Sequence, residues 1–114
     1  MSVQRLYLRG LGIFFILVVI TFVLDILKFG WRAETLHKLL HVLLGVWMVW
    51  VSYQGSVAAC RTFNKANGAL FVVVAGIGWS FPDLGGLDAF NLLDTILHSI
   101  VGISSGWVGM WAKD

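Results

Sequence analysis

The sequence predicts an all-α integral membrane fold: a bundle of four transmembrane helices arranged as two repeated helical hairpins. Three observations carry that prediction. Of the 114 residues, 59% are hydrophobic and only 12% are charged, against roughly 45–50% and 25% in soluble domains. The apolar excess falls in four blocks separated by short polar turns, within a length that allows one domain, residues 1–114. Two of those blocks carry the same Leu-His-x-x-x-Gly unit. Isolated apolar strands would leave backbone groups unpaired in lipid, so the blocks read as helices.

The first span is residues 8–27, LRGLGIFFILVVITFVLDIL. A hydrocarbon layer about 30 Å thick needs roughly 20 apolar residues at 1.5 Å each, which this stretch supplies. Basic residues precede it, as in a signal peptide. The apolar stretch is long for that role, however, and no small-x-small cleavage pattern precedes Asp25, so it reads as a retained helix. KFGWRAE is a polar turn broken at Gly30, and the second span is residues 35–53. QGSVAACRTFNKAN reads as a middle loop containing Cys60, with part of it open to being helical. The third span, residues 66–81, is short and ends at Pro82. PDLGGLDAFN is a turn through Gly85 and Gly86, with Asp88 or Asn91 as the cap of a fourth span over residues 90–112.

Arg5, Arg9, Arg61, Lys65 and Lys113 fall on one side of such a topology, and Lys28, Arg32 and Lys38 on the other. The richer side is expected in the cytoplasm, so both termini are cytoplasmic. Lys38, at the outer boundary, is expected to snorkel outwards. Trp31 and Trp79 lie near the outer boundary, and Trp47, Trp50, Trp107 and Trp111 near the inner one, as amphipathic rings prefer. A net charge of +2 is too small to suggest nucleic acid, and one cysteine rules out an intrachain disulfide or a cysteine-based zinc cage.

Placing His41 on His98 aligns LLHVLLGVWMVWV with ILHSIVGISSGWV and Gly45 with Gly102. Gly12 and Gly68 precede the two histidines at nearly equal distance, so each half reads as a glycine-led helix, a turn, and a helix bearing His-x-x-x-Gly. The two histidines then lie at similar depth in the outer half. His37 and His41 share one helical face, as do Asp94 and His98, and Asp94 occupies the repeat position of His37.

Ionisable groups inside spans are costly and normally face the bundle interior. The favoured reading of His41 and His98, with His37 and Asp94, is a buried polar link between helices that needs no cofactor. The rival reading makes His41 and His98 axial ligands of a haem or a (bacterio)chlorophyll, with Gly45 and Gly102 leaving room for the macrocycle. A proton pathway through Asp94 and His98 is weaker. A zinc site from His37, His41 and His98 lacks a strong metal motif, so no metal is assigned. Gly102 and Gly106 form a Gly-x-x-x-Gly pair that Ser105 and Gly109 extend. Such a stripe brings helices close, within the chain's own bundle or against another subunit, and Gly76 and Gly78 offer the same on the third span. No nucleophile elbow, phosphate loop or catalytic carboxylate pair is present, so no enzyme activity is expected.

FNKANGALFVVVAGIGW followed by DLGGLDAFNLLDTILHSIVGISSGWVG resembles the C-terminal half of the small four-span bacterial membrane proteins grouped as domain-of-unknown-function family 4383. The resemblance is carried by Asp94, Leu97, His98 and Gly102, with Leu40, His41 and Gly45 in the first half. It implies four spans and a bacterial inner membrane, and supplies no activity. The expected function is that of a non-enzymatic accessory or scaffold subunit. It would be embedded in the lipid bilayer beside other integral membrane subunits of a respiratory or photosynthetic complex.

Overall fold

The computed structural model describes residues 2–31, 33–81 and 92–113, with the backbone alone at 33 and 34. The predicted Pro82 stop, the Gly85–Gly86 turn and the Asp88 or Asn91 cap lie outside the described residues. Among those described, the structure is wholly helical: α1 (Val3–Leu17), α2 (Val19–Phe29), α3 (Ala33–Gln54), α4 (Val57–Ser80) and α5 (Leu92–Trp111). α1 and α2 form one rod, Val3–Phe29, so the bundle has four rods.

Ser2 starts the first rod, its hydroxyl accepting from the Arg5 N–H at 3.1 Å. At Val18 the turn tightens: its N–H bonds Phe15 O at 3.2 Å, and the Thr21 hydroxyl donates to Val18 O at 2.9 Å. A threonine hydroxyl on a helix carbonyl is a recognised cause of such a local distortion. Gly30 ends the rod with φ 70°, a conformation that suits a residue with no Cβ, so the predicted breaker is in place.

The second and fourth helices fall close to their predicted limits. The third does not: α4 begins at Val57 rather than Ala66, capped by Ser56 Oγ accepting from the Ala59 N–H at 3.0 Å. The expected middle loop shrinks to a tight link at Gly55 and Ser56. Its polar residues, Asn64 and Asn67, are interior helix residues. Cys60 is likewise a fully buried α4 residue, its thiol donating to Val51 O at 3.7 Å, and not a loop residue.

α1–α2 packs antiparallel to α3, and α4 antiparallel to α5, giving two hairpins. They join where α1 meets α4, with α3 and α5 on the flanks, in a slab of 42 × 30 × 16 Å. The hairpins make equivalent contacts. A Cβ on Gly12 would lie 2.9 Å from Gly45 O, and one on Gly68 would lie 2.6 Å from the Gly106 backbone. Seven residues before those crossing glycines stand Arg5 and Arg61. Arg5 donates to Ser52 O and Gly55 O at 2.7 and 2.9 Å, and Arg61 to Gly109 O and Ala112 O at 2.9 and 2.8 Å. Each guanidinium thus satisfies the last carbonyls of the partner helix, where the helix dipole is negative.

A second equivalence crosses between hairpins. Gln4 of α1 donates to Val108 O and Ala112 O of α5, while Cys60 of α4 reaches Val51 O of α3. The Gln4 contact also places the two chain ends at the same end of the bundle. Arg61→Ala is expected to cost about 1–3 kcal/mol of bundle stability, because two charged hydrogen bonds to C-terminal carbonyls are lost, although Ala112 O keeps Gln4 as a donor. Arg61→Lys should recover only part of that, since an ammonium cannot fork to two carbonyls as a guanidinium does. Reversible unfolding in detergent micelles measures both, and equal stability of Arg61→Ala and the parent would remove the capping role.

Candidate functional site

The site lies at the end of the bundle away from the termini, where α3 and α5 converge over α1. His37 and His41 sit one turn apart on α3, so their rings lie on one face, 4.3 Å apart between centroids. His98 of α5 faces both, 5.1 Å from His37 and 5.5 Å from His41. The expected pairing of His41 with His98 across the bundle is therefore present, and His37 joins it as a third member. One nitrogen from each ring lies within 4.8 Å of the other two. The backbones of α3 and α5 do not otherwise pack against each other among the described residues, so here the side chains bridge the two hairpins.

Two phenylalanines hold the rings. Phe15 of α1 stacks on His41 at 4.9 Å and 21°. Phe71 of α4 stacks on His98 at 5.5 Å and 26°. The two phenyl rings meet edge to face at 5.5 Å where α1 meets α4. Both are buried core residues. Each stands three residues after its crossing glycine, so the histidine, its stacking partner and the glycine recur together in each hairpin.

A cavity of about 290 Å³ opens beside the rings. Phe14, Val18 and Thr21 line it from the first rod, with His37, Lys38 and His41 from α3 and Asp94 from α5. The tightened turn at Val18 thus shapes one wall. Asp94 faces the same space as His37 and His41, and it also lies close enough to His98, one turn on along α5, to act on it electrostatically.

Lys38 corrects its expectation. Its ammonium does not snorkel to the outer boundary but lies 3.8 Å from Asp25 Oδ1. Asp25 is only 8% exposed, and its other oxygen accepts from the Thr35 hydroxyl at 2.6 Å. Asp25 and Thr35 are parts of the site region that the sequence reading missed. An acidic group near the end of an apolar span, with a hydroxyl and an ammonium one turn apart on the next helix, is the signal that marks them.

The small-residue stripe is internal. A Cβ on Gly45 would meet Gly12 O at 2.7 Å, and one on Gly102 would meet the Phe71–Val72 backbone at 2.7 Å. A Cβ on Gly109 would lie 2.7 Å from Lys65 N, and Gly106 lies over Gly68. Ser105 is buried and hydrogen-bonds the Tyr7 hydroxyl at 3.0 Å, beside Ser104 at 2.6 Å. In the direction a Cβ would take, Gly45 and Gly102 meet neighbouring backbone, while Gly102 also borders an open groove with Gly68 and Gly106. Gly78 packs against Thr95 as expected, but Gly76 meets nothing within 4 Å and takes no part in a helix contact. No protein-family model, curated protein or solved structure matches the chain.

Proposed function

We propose that the chain is a small, non-enzymatic, four-span integral membrane protein, built by internal duplication of a helical hairpin, that packs beside other membrane subunits. The observation that carries this reading is the inverted distribution of polarity. Buried inside are Gln4, Thr35, Ser52, Asn64, Asn67, Thr95, His98 and Ser105. Facing outwards are Ile20, Leu27, Val73, Ile100 and Ile103, each at least 58% exposed. In water an exposed apolar belt of that extent would drive aggregation; in lipid it is the favourable surface, and interior polar groups bind the helices together. The rods Val3–Phe29 and Thr35–Gln54 are long and apolar enough to cross a membrane by themselves. The slab's 42 Å length suits a bilayer about 40–45 Å thick with its headgroups. The duplicated contacts of Arg5 with Arg61, Phe15 with Phe71 and Gly12 with Gly68 support descent from one hairpin.

With the glycine stripe used internally, a neighbouring subunit would meet large side chains instead. The apolar groove between α3 and α4, lined by Leu44, Trp47, Val51, Phe63 and Leu70, is such a surface. The arginine-rich end, with Arg5, Arg9 and Arg61, is assigned to the cytoplasm of a bacterial cell. In a Cys60→Ser background, a membrane-impermeant maleimide should label Phe29→Cys in intact cells and spare Ser56→Cys. The chain should also stay in the membrane through an alkaline carbonate wash. Recovery as a monomer in the aqueous fraction would defeat the proposal.

The rival reading, with haem or (bacterio)chlorophyll held by His41 and His98, draws on the way those two rings face each other. It would require Phe15 and Phe71 to leave their stacks and the hairpins to part. A visible spectrum of the protein purified from its native membrane decides between them. A Soret band lost in His41→Ala or His98→Ala would establish the tetrapyrrole. Its absence, together with stoichiometric co-purifying subunits, is the result expected here.

A further inference from the structure

We infer that His37, His41 and His98 form a binding site for one zinc ion, which staples the two hairpins together at the end of the bundle away from the termini. Four observations converge on it. The first is the donor set: three imidazoles supply three nitrogens of the borderline character that zinc prefers. The second is spacing: His37 and His41, one turn apart, form the two-histidine helical chelate whose geometry suits a tetrahedral metal.

The third observation is distance. A zinc ion with Zn–N bonds of about 2.0–2.1 Å holds its ligand nitrogens roughly 3.3 Å apart. Here the three nitrogens lie within 4.8 Å of one another, a gap that side-chain rotation closes without moving a helix. The ring planes of His41 and His98 are already held by Phe15 and Phe71, which limits the freedom lost on binding.

The fourth is the surroundings. The cavity beside His37 and His41 leaves the fourth coordination position accessible, and Asp94 lines that cavity. A water or the Asp94 carboxylate completes a tetrahedron there. Of the other charged groups nearby, the Lys38 ammonium would oppose a dication, but Asp25 offsets it at 3.8 Å. A cavity of about 290 Å³ accommodates an ion and its water, and is at the small end for an organic ligand.

The site also answers a structural need. Among the described residues α3 and α5 do not pack backbone to backbone, and a metal bound by both would join the hairpins where ring contacts already link them. Ligands that bind only the folded state stabilise it, so the bundle should gain stability with zinc concentration.

The test uses the full chain in detergent micelles or nanodiscs, stripped with chelator and titrated with Zn²⁺. One ion per chain, a rise in unfolding temperature, and Co²⁺ d–d absorption of tetrahedral intensity are expected. His98→Ala and His41→Ala should each weaken Zn²⁺ binding at least tenfold, with helicity checked by circular dichroism. Should a histidine variant fail to fold, His98→Gln, closer in size, carries the same expectation. A further check is Asp94→Asn, which should keep one ion per chain. Absence of binding at 1:1 stoichiometry, or binding that persists unchanged in the folded His98 variants, would overturn the site and leave the three imidazoles as a polar link. Because these readouts need no lipid partner, a failure here leaves the membrane reading standing.

Discussion

Gly68→Ala is expected to destabilise the bundle by about 3 kcal/mol, while Gly106→Ala, in the same helix crossing, is tolerated. The difference lies in the direction of the added methyl. On Gly68 it would lie 2.6 Å from both Cα and N of Gly106, and 3.3 Å from Gly102 O. Those atoms are backbone and cannot rotate away, so α4 and α5 must separate along their length. On Gly106 the nearest atom is Gly68 Cα at 3.8 Å, an ordinary contact. Alanine also favours helix over glycine by up to about 1 kcal/mol, which offsets a little of the Gly68 cost and makes Gly106→Ala neutral to stabilising. Gly76→Ala, with nothing within 4 Å, serves as the positive control. Unfolding in micelles ranks the three. Equal losses at Gly68 and Gly106 would mean that the crossing is not the one described, and loss of a partner without loss of bundle stability would return the stripe to an intermolecular role.

Much of this crossing was legible in the sequence, because glycines in apolar helices have few other uses. The match of Gly45 with Gly102 and of Gly12 with Gly68 led to two hairpins, and those glycines pack as a pair in the first hairpin and around one crossing in the second. The levels of His41 and His98 followed from the same alignment. His37 was read as partner to a polar link because Asp94 stands at its repeat position. Three-dimensional packing places both at one cavity, with only the histidine among the clustered rings.

The polar residues of α4 were the main obstacle. Arg61, Asn64, Lys65 and Asn67 look like a loop when polarity is taken to mean exposure. For the two asparagines the rule inverts, while Lys65 stays exposed: Asn64 donates to Gln4 O and Gln4 Oε1 at 3.1 and 3.0 Å, and Asn67 reaches the Met48 sulfur at 3.6 Å. The cue that would have extended the helix was present. Arg61, Gly68 and Phe71 repeat the spacing of Arg5, Gly12 and Phe15, and the earlier set lies within one uninterrupted stretch. Side-chain direction at Lys38 was not legible, because snorkelling and inward pairing differ only in where Asp25 lies.

Asp25→Leu is expected to cost about 3 kcal/mol, and the double variant Asp25→Leu/Lys38→Met should recover most of that loss. The single change removes the acceptor of the 2.6 Å Thr35 hydrogen bond and the carboxylate 3.8 Å from the Lys38 ammonium. Thr35 retains a second acceptor, Gly30 O at 3.1 Å, so its loss is partial. Lys38 is the larger part, since its side chain is only 22% exposed and lines the histidine cavity. Removing one member of such a pair leaves a largely buried charge with less compensation, whereas removing both leaves an apolar contact. The same pair sets the field at the histidines. With Asp25 gone, the ammonium repels a dication, so Zn²⁺ affinity should fall in Asp25→Leu and return in the double variant although neither residue ligates the ion. Stability and Zn²⁺ titration on the three proteins separate the two effects. If the double variant is no more stable than Asp25→Leu, the pair is not the interaction that matters, and Asp25 acts chiefly through Thr35.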